Sequence, residues 1–207
     1  MNDAVIIGLL TAFGMAISTG PVFLTIIQSS IAKGFRTTVF FILGVSIADT
    51  SILSLCWYGL EKLDMGLDPA LIKLVAGFGL MAFGSTYLFK QSISVKKEGL
   101  ASVLTPNKKE WFSQFGRGVL IDLVNPIVWA FWIGISQFSI TKFSNAFDQS
   151  LYFVSILLTI LATDMIKAYF AAKLGSYFTS TLLKWFNRGI GILLIGLGIK
   201  FIVDHFI

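Results

Sequence analysis

The sequence predicts an all-α, polytopic membrane protein of six transmembrane helices in two inverted-topology repeats of three. Hydrophobic residues make up 56% of the 207-residue chain and charged residues only 13%, about half the charged share of a soluble domain. The apolar residues gather in six runs, each near the ~20 residues that a bilayer crossing requires. The first and fourth runs are interrupted at matching places, by Gly20-Pro21 and Asn125-Pro126.

Proline lacks an N–H and clashes with the carbonyl four residues back, so each pair breaks a helix. The carbonyls set free are those of Ile17 and Asp122. Pro21 and Pro126 are suited to the first helical position, and Asn125 is a favoured N-cap. Each pair therefore reads as the end of one half-helix and the start of another. Two broken helices at corresponding places in two halves point to a transporter's binding site.

The first run, about Val5 to Ile27, carries a small-residue stripe, Gly8, Ala12, Ala16 and Gly20, that suits close helix packing. Met1-Asn2-Asp3 lacks the basic start of a signal peptide. Lys33, Gly34 and Arg36 form a short basic turn. The second run, about Thr38 to Tyr58, holds Asp49 near its centre. A carboxylate there costs ~2.5–3.5 kcal/mol on insertion scales, so it should face the bundle interior or a wet cavity.

The third run, about Ala70 to Phe89, holds Gly77, Gly79 and Gly84. Lys90 to Gln114 is polar and reads as a flexible loop. The fourth run, Phe115 to Phe138, contains Asp122, Asn125 and Pro126, then Trp129 and Trp132 on one face, where their rings could lodge a cation, although lipid-facing aromatics are commoner. In the fifth, about Leu151 to Ala172, Asp164 precedes Lys167 by one turn, a spacing that suits an ion pair. The sixth, about Arg188 to Val203, holds Gly189, Gly191, Gly196 and Gly198. The glycine faces of the third and sixth runs suit internal packing or a homodimer. His205 is terminal and reads as solvated.

Charge placement gives orientation. Lysines and arginines in the first, third and fifth connections, with the flanking helix ends, number two, six and four, twelve of the sixteen in the chain. The positive-inside rule puts those loops in the cytoplasm and both termini outside. The net charge of +5 thus reports topology and excludes a nucleic-acid surface. Cys56 is the only cysteine, which excludes an intrachain disulfide and a cysteine-rich metal site.

The halves also match each other. Gly77-Phe78-Gly79 pairs with Gly189-Ile190-Gly191, Ile47-Ala48-Asp49 with Ala162-Thr163-Asp164, and Gly20-Pro21 with Asn125-Pro126, at separations of 112, 115 and 105 residues. Three spans per half make the copies face opposite ways, as in alternating-access transporters. Residues 1–207 form one membrane domain: a first repeat over about 1–95, a flexible cytoplasmic loop over about 96–113, and a second repeat over about 114–207.

Gly20-Pro21, Lys33-Gly34-Phe35-Arg36 and Gly44 to Asp49 resemble the start of the lysine/homoserine exporter (LysE-type) family. Gly116-Arg117-Gly118 through Asp122, Asn125-Pro126 and Gln137-Phe138 are similar to its second signature. The resemblance spans nearly the whole chain. It implies a six-span exporter of the bacterial inner membrane that expels amino acids or related solutes using an ion gradient. Val22 and Ile127 stand where many members carry polar or basic residues, and Asp49 looks more like the basic-amino-acid branch.

The residues supply a mechanism of their own. Helix N-termini at the breaks would offer free N–H groups to a carboxylate. Asp49, Asp122 and Asp164 would hold an ammonium, a proton or both, since burial disfavours the charged form of a carboxylate. The candidate substrate and gating residues are Thr19, Gly20, Pro21, Asp49, Asp122, Asn125, Pro126 and Asp164. The coupling ion is expected to be a proton, with no cofactor and no resident metal. A divalent-cation exporter is the alternative, disfavoured because the sequence offers no His or Cys cluster and no close carboxylate pair. A non-transporting membrane subunit would leave the breaks and buried acids unexplained. No nucleophile stands with a base or metal motif at a workable spacing, so an enzyme is not expected.

Overall fold

The computed structural model of the chain describes residues 2–17, 21–62 and 108–174 continuously, together with isolated helical residues between 74 and 88 and between 181 and 203. The remainder of the third and sixth runs lies outside the described residues. Six helices are continuous among the described residues, and we number them in chain order: α1 Asn2–Ile17, α2 Pro21–Lys33, α3 Phe35–Lys62, α4 Lys108–Leu123, α5 Pro126–Lys142 and α6 Ala146–Lys173. No strand occurs among the described residues.

The local signals act where the sequence places them. Pro21 and Pro126 each open a helix, where a missing N–H is harmless. Gly34 ends α2 with φ 81°, a left-handed conformation that glycine adopts without penalty. Its N–H donates to the Ser30 carbonyl at 3.1 Å. Thr38 Oγ1 then reaches Ser29 Oγ at 3.1 Å and the Gly34 carbonyl at 3.0 Å, fixing α3 against α2. Asn145 caps α6 by accepting from the Asp148 N–H at 2.7 Å and donating to the Asp148 carboxylate at 2.8 Å. One boundary differs from the sequence reading: α4 begins at Lys108, so 108–113 is helix and not loop.

With 28 residues each, α3 and α6 are about 42 Å long at 1.5 Å per residue, enough to cross a ~30 Å hydrocarbon core. They are the two described helices apolar and long enough to span a membrane; α4 and α5, bent by 65° at their break, make a third if taken as one span. Leu43, Ile47, Leu55, Leu120, Val154, Leu158 and Ile166 are exposed while Asp49, Asp122 and Asp164 are buried. That inversion of the soluble pattern suits a lipid surround.

Contacts fix the directions. Trp57 meets Gln149 and Phe153 while Phe35 meets Tyr169, so α3 and α6 are antiparallel. Gly8 lies against Tyr152 and Ser155, and Met15 shares a cleft with Ile160, so α1 runs parallel to α6. Gly8 of the small stripe faces α6, and Ala12 of the stripe is buried, as is Ala4. Phe40 stacks on Trp111 at 4.6 Å, and Lys33 pairs with Glu110 at 2.8 Å. The first connection and the start of α4 are thus at one end of the bundle. Lys33, read from sequence as a topology signal, also makes this cross-bundle ion pair.

Two apolar cores are defined among the described residues. One joins Ala12, Ile52, Cys56, Val128, Trp132, Tyr152 and Ile156. The other joins Ile26, Phe41, Ile42, Val45 and Ala168 toward the end that carries Lys33. Asp49 lies in sequence and in space between Val45 of one and Ile52 of the other.

The α3–α4 crossing is unusually close. A Cβ on Gly44 would strike the Phe115 carbonyl, and one on Gly118 would strike the Phe41 carbonyl. Backbone cannot yield as a side chain can, so Gly118→Ala should overpack the crossing by about 1–3 kcal/mol. Gly116 has open space around its Cβ position, and Gly116→Ala should gain about 0.5–1 kcal/mol. Thermal unfolding in detergent should therefore show a lowered midpoint for Gly118→Ala and none for Gly116→Ala; equal midpoints would refute the close crossing.

Candidate functional site

Asp49 stands near the middle of α3, Asp122 in the last turn of α4 and Asp164 in the second half of α6. They are 4%, 1% and 5% exposed, and all three line one cleft. Pro21, Val22 and Phe23 at the start of α2, Asn125 and Ile127 at the second break, and Lys167 complete its polar and central walls. The cleft sits at the level where the two apolar cores separate, beside both helix breaks.

Trp132 Nε1 donates to Asp49 Oδ1 at 2.6 Å, and the Asp49 and Asp122 carboxyls are within hydrogen-bonding reach of each other. A bond between two carboxyls requires a proton on one of them, because an ionised carboxylate only accepts. Asp122 Oδ2 is buried and receives no donor among the described residues. Asp164 Oδ1 accepts from Lys167 Nζ at 2.8 Å, as its spacing predicts. Three acids and one ammonium leave negative charge that only protons or a cation can balance, and buried unpaired charge is costly.

The second break satisfies its own backbone. The Asp122 carbonyl, expected to be orphaned, accepts from the Asn125 N–H at 3.0 Å. Trp129 Nε1 donates to the Leu123 carbonyl at 2.8 Å. Asn125 Oδ1 accepts from the Ile127 N–H at 3.2 Å, and the Asn125 carbonyl accepts from the N–H groups of Val128 and Trp129 at 3.1 and 3.4 Å. The free N–H groups expected at Pro126 are therefore partnered within the chain. What remains there is the partial positive charge of the helix end.

Of the residues singled out from sequence, Pro21, Asp49, Asp122, Asn125 and Asp164 line the cleft. Pro126 lies between two lining residues, and Thr19 and Gly20 fall outside the described residues. Three expectations change. Asp49 and Asp122 form the close carboxyl pair that spacing in the chain concealed. The two indoles do not make a cation cage: Trp132 is fully buried, each N–H serves a separate acceptor, and neither ring lines the cleft. Lys167, read only as a neutralising partner, lines the cleft beside Asp164.

Trp132→Phe keeps most of the packing and deletes the donor to a buried carboxyl, a loss of about 1.5–3 kcal/mol. Because the partner is Asp49, Trp132→Phe and Asp49→Ala, which removes the acceptor, should be less than additive when combined. Unfolding of the two single variants and the double variant in detergent measures this. Strict additivity would deny the bond.

The LysE type translocator family model matches residues 13–205. The chain is 31% identical over 118 residues to the "Uncharacterized membrane protein YahN" of Escherichia coli (strain K12), covering 56% of this chain and 50% of that protein; this match thus spans about half the length of that relative. It is 25% identical over 193 residues to the "Putative amino acid efflux protein YcgF" of Bacillus subtilis (strain 168), covering 91% of this chain and 90% of that protein. No solved structure matches the chain at a significant level. With the family model covering nearly the whole chain, and with helices apolar and long enough to cross a bilayer, the protein belongs to the LysE type translocator family.

Proposed function

We propose that the protein is a secondary exporter that carries amino acids, or related solutes bearing an amine and a carboxylate, out of a bacterial cytoplasm in exchange for protons. The observation that carries this reading is the Asp49–Asp122 carboxyl pair, buried in a cleft between two apolar cores and beside two helix breaks. Such a pair holds either a proton or a cation at one place. Asp122 Oδ2, which lacks a donor among the described residues, is the acceptor for the substrate ammonium. The Bacillus relative, named "Putative amino acid efflux protein YcgF", points to the same class of solute.

In this mechanism the pair takes up a proton when the cleft opens to the outside. It exchanges that proton for a substrate ammonium when the cleft opens to the cytoplasm. The apolar cores above and below the pair act as the two barriers, one opening at a time. Inverted repeats give such barriers related structures. The packing supports this arrangement: α3 on α4 corresponds to α6 on α1, and α3 on α5 to α6 on α2. We read residues 1–207 as one six-span membrane domain on this basis. The Lys33–Glu110 pair joins the first and third connections at one end, in keeping with both being cytoplasmic and both termini outside, in the bacterial inner membrane.

A divalent cation is the second reading, favoured by the carboxyl pair. Calcium takes six to eight oxygens, whereas one Asp49 oxygen already accepts from Trp132. Among the described residues no group of three or more His, Cys, Asp or Glu side chains is disposed to hold a metal.

Efflux from preloaded proteoliposomes, across a panel of amino acids and divalent metals and with or without a proton gradient, tests the proposal. Amino-acid efflux that accelerates with an inward proton gradient is expected, and Asp49→Asn should lower it by at least about tenfold while the protein still inserts. Asp164→Asn should cost less, because Lys167 already neutralises that carboxylate. Movement of a metal with amino acids ignored would replace the first reading by the second. In intact cells, a cysteine at Lys97 should be labelled from the cytoplasmic side alone; labelling from outside would reverse the orientation.

A further inference from the structure

The cleft pairs its charges unequally, and the inequality specifies a ligand. Asp164 and Lys167 neutralise each other at 2.8 Å, whereas the Asp49 and Asp122 carboxyls of the same cleft have no cation beside them among the described lining residues. Lys167 is the one cation among the described lining residues. An ammonium has three donors, and Asp164 Oδ1 takes one of them at 2.8 Å. The Lys167 side chain is 20% exposed, against 7% for Asp164, so the cation is the more accessible partner. Its Nζ lies 5.8 Å from the centroid of the Phe23 ring, two residues beyond Pro21, which places it beside the first helix break.

Resting on the reading of the protein as an amino-acid exporter, we infer that Lys167 anchors the substrate carboxylate and that the cleft selects zwitterionic amino acids with an uncharged, aliphatic side chain. The second break cannot supply the anchor through its N–H groups, because Asn125 occupies those of Ile127, Val128 and Trp129. Lys167 fills that role with a full charge in a partly enclosed site, where charge-assisted hydrogen bonds are strong. The substrate ammonium goes to the carboxyl pair. Apart from Asn125, whose Oδ1 is engaged by the Ile127 N–H, the rest of the wall is apolar, with Met15, Val22, Val45 and Ile160 among its residues. They offer no partner to a polar side chain, and an unpaired polar group in such a place is unfavourable. A second cation on a lysine-like substrate would find only Asp164, which Lys167 already holds.

The test uses the full-length protein in detergent, with apparent dissociation constants for leucine, leucinamide and lysine read from tryptophan fluorescence. Leucinamide keeps the amine and the aliphatic chain and replaces the carboxylate with a neutral amide. The parent should bind leucine more tightly than leucinamide or lysine by roughly tenfold or more, as a charged hydrogen bond implies. Lys167→Gln should weaken leucine to the leucinamide level and leave leucinamide unchanged, and Lys167→Arg should restore the preference. If the single change prevents insertion, Asp164→Asn combined with Lys167→Gln removes both charges and gives the same readout. Unchanged preference for leucine in either variant, equal weakening of both ligands, or a parent that favours lysine would overturn the inference. A parent that exports amino acids while any of these holds keeps the exporter reading; one that neither binds nor exports an amino acid removes that reading as well.

Discussion

A carboxyl pair in the middle of a lipid-facing bundle has to be held, and the Trp132–Asp49 hydrogen bond at 2.6 Å, with Asp122 against the same carboxyl, does the holding. Those side chains come from three helices, so one polar contact ties α3, α4 and α5 together. It depends in turn on the glycine crossing of α3 and α4, which brings two backbones close enough for residues 73 positions apart to meet. Polar groups in a membrane interior remain only where protein partners satisfy them. Here the partners are themselves functional candidates, so structure and proposed chemistry share the same atoms.

The helix breaks divide between two jobs. At the second break the chain closes its own hydrogen bonds through Asn125 and Trp129, so the irregular backbone there has its polar groups partnered within the chain. The break then bends α4 against α5 by 65° and delivers Asp122 to the cleft. A helix end that is fully capped is a hinge and a source of partial charge more than a ligand site. In the proposed mechanism the titratable groups of the cleft, three carboxyls and Lys167, recognise the solute instead.

Much of the fold was legible because its signals are local. Proline chemistry marked both breaks, glycine marked the α2 end, and the expense of burying Asp49 and Asp164 marked them as inward-facing before any contact was known. The Asp164–Lys167 pair followed from helical spacing. The partners across helices were not legible. Asp122 meets Asp49, Trp132 meets Asp49 and Glu110 meets Lys33, each pairing set by how spans pack, which no period in the sequence encodes. Trp132 illustrates the limit: its place one turn beyond Trp129 suggested a shared aromatic face, whereas tertiary packing turned it into a hydrogen-bond donor. The start of α4 at Lys108 was masked by polar composition, since its first two turns lie at the bundle end, where lysines remain solvated.

At the centre of this account is one site that holds either a proton or a substrate ammonium. Proton release on ligand binding reports that exchange without any need for transport. Purified protein in weakly buffered detergent solution, titrated with leucine and followed by a pH indicator, should release up to one proton per bound leucine, and Asp49→Asn protein should release none. Stoichiometric binding of leucine by the parent with no proton released would contradict it.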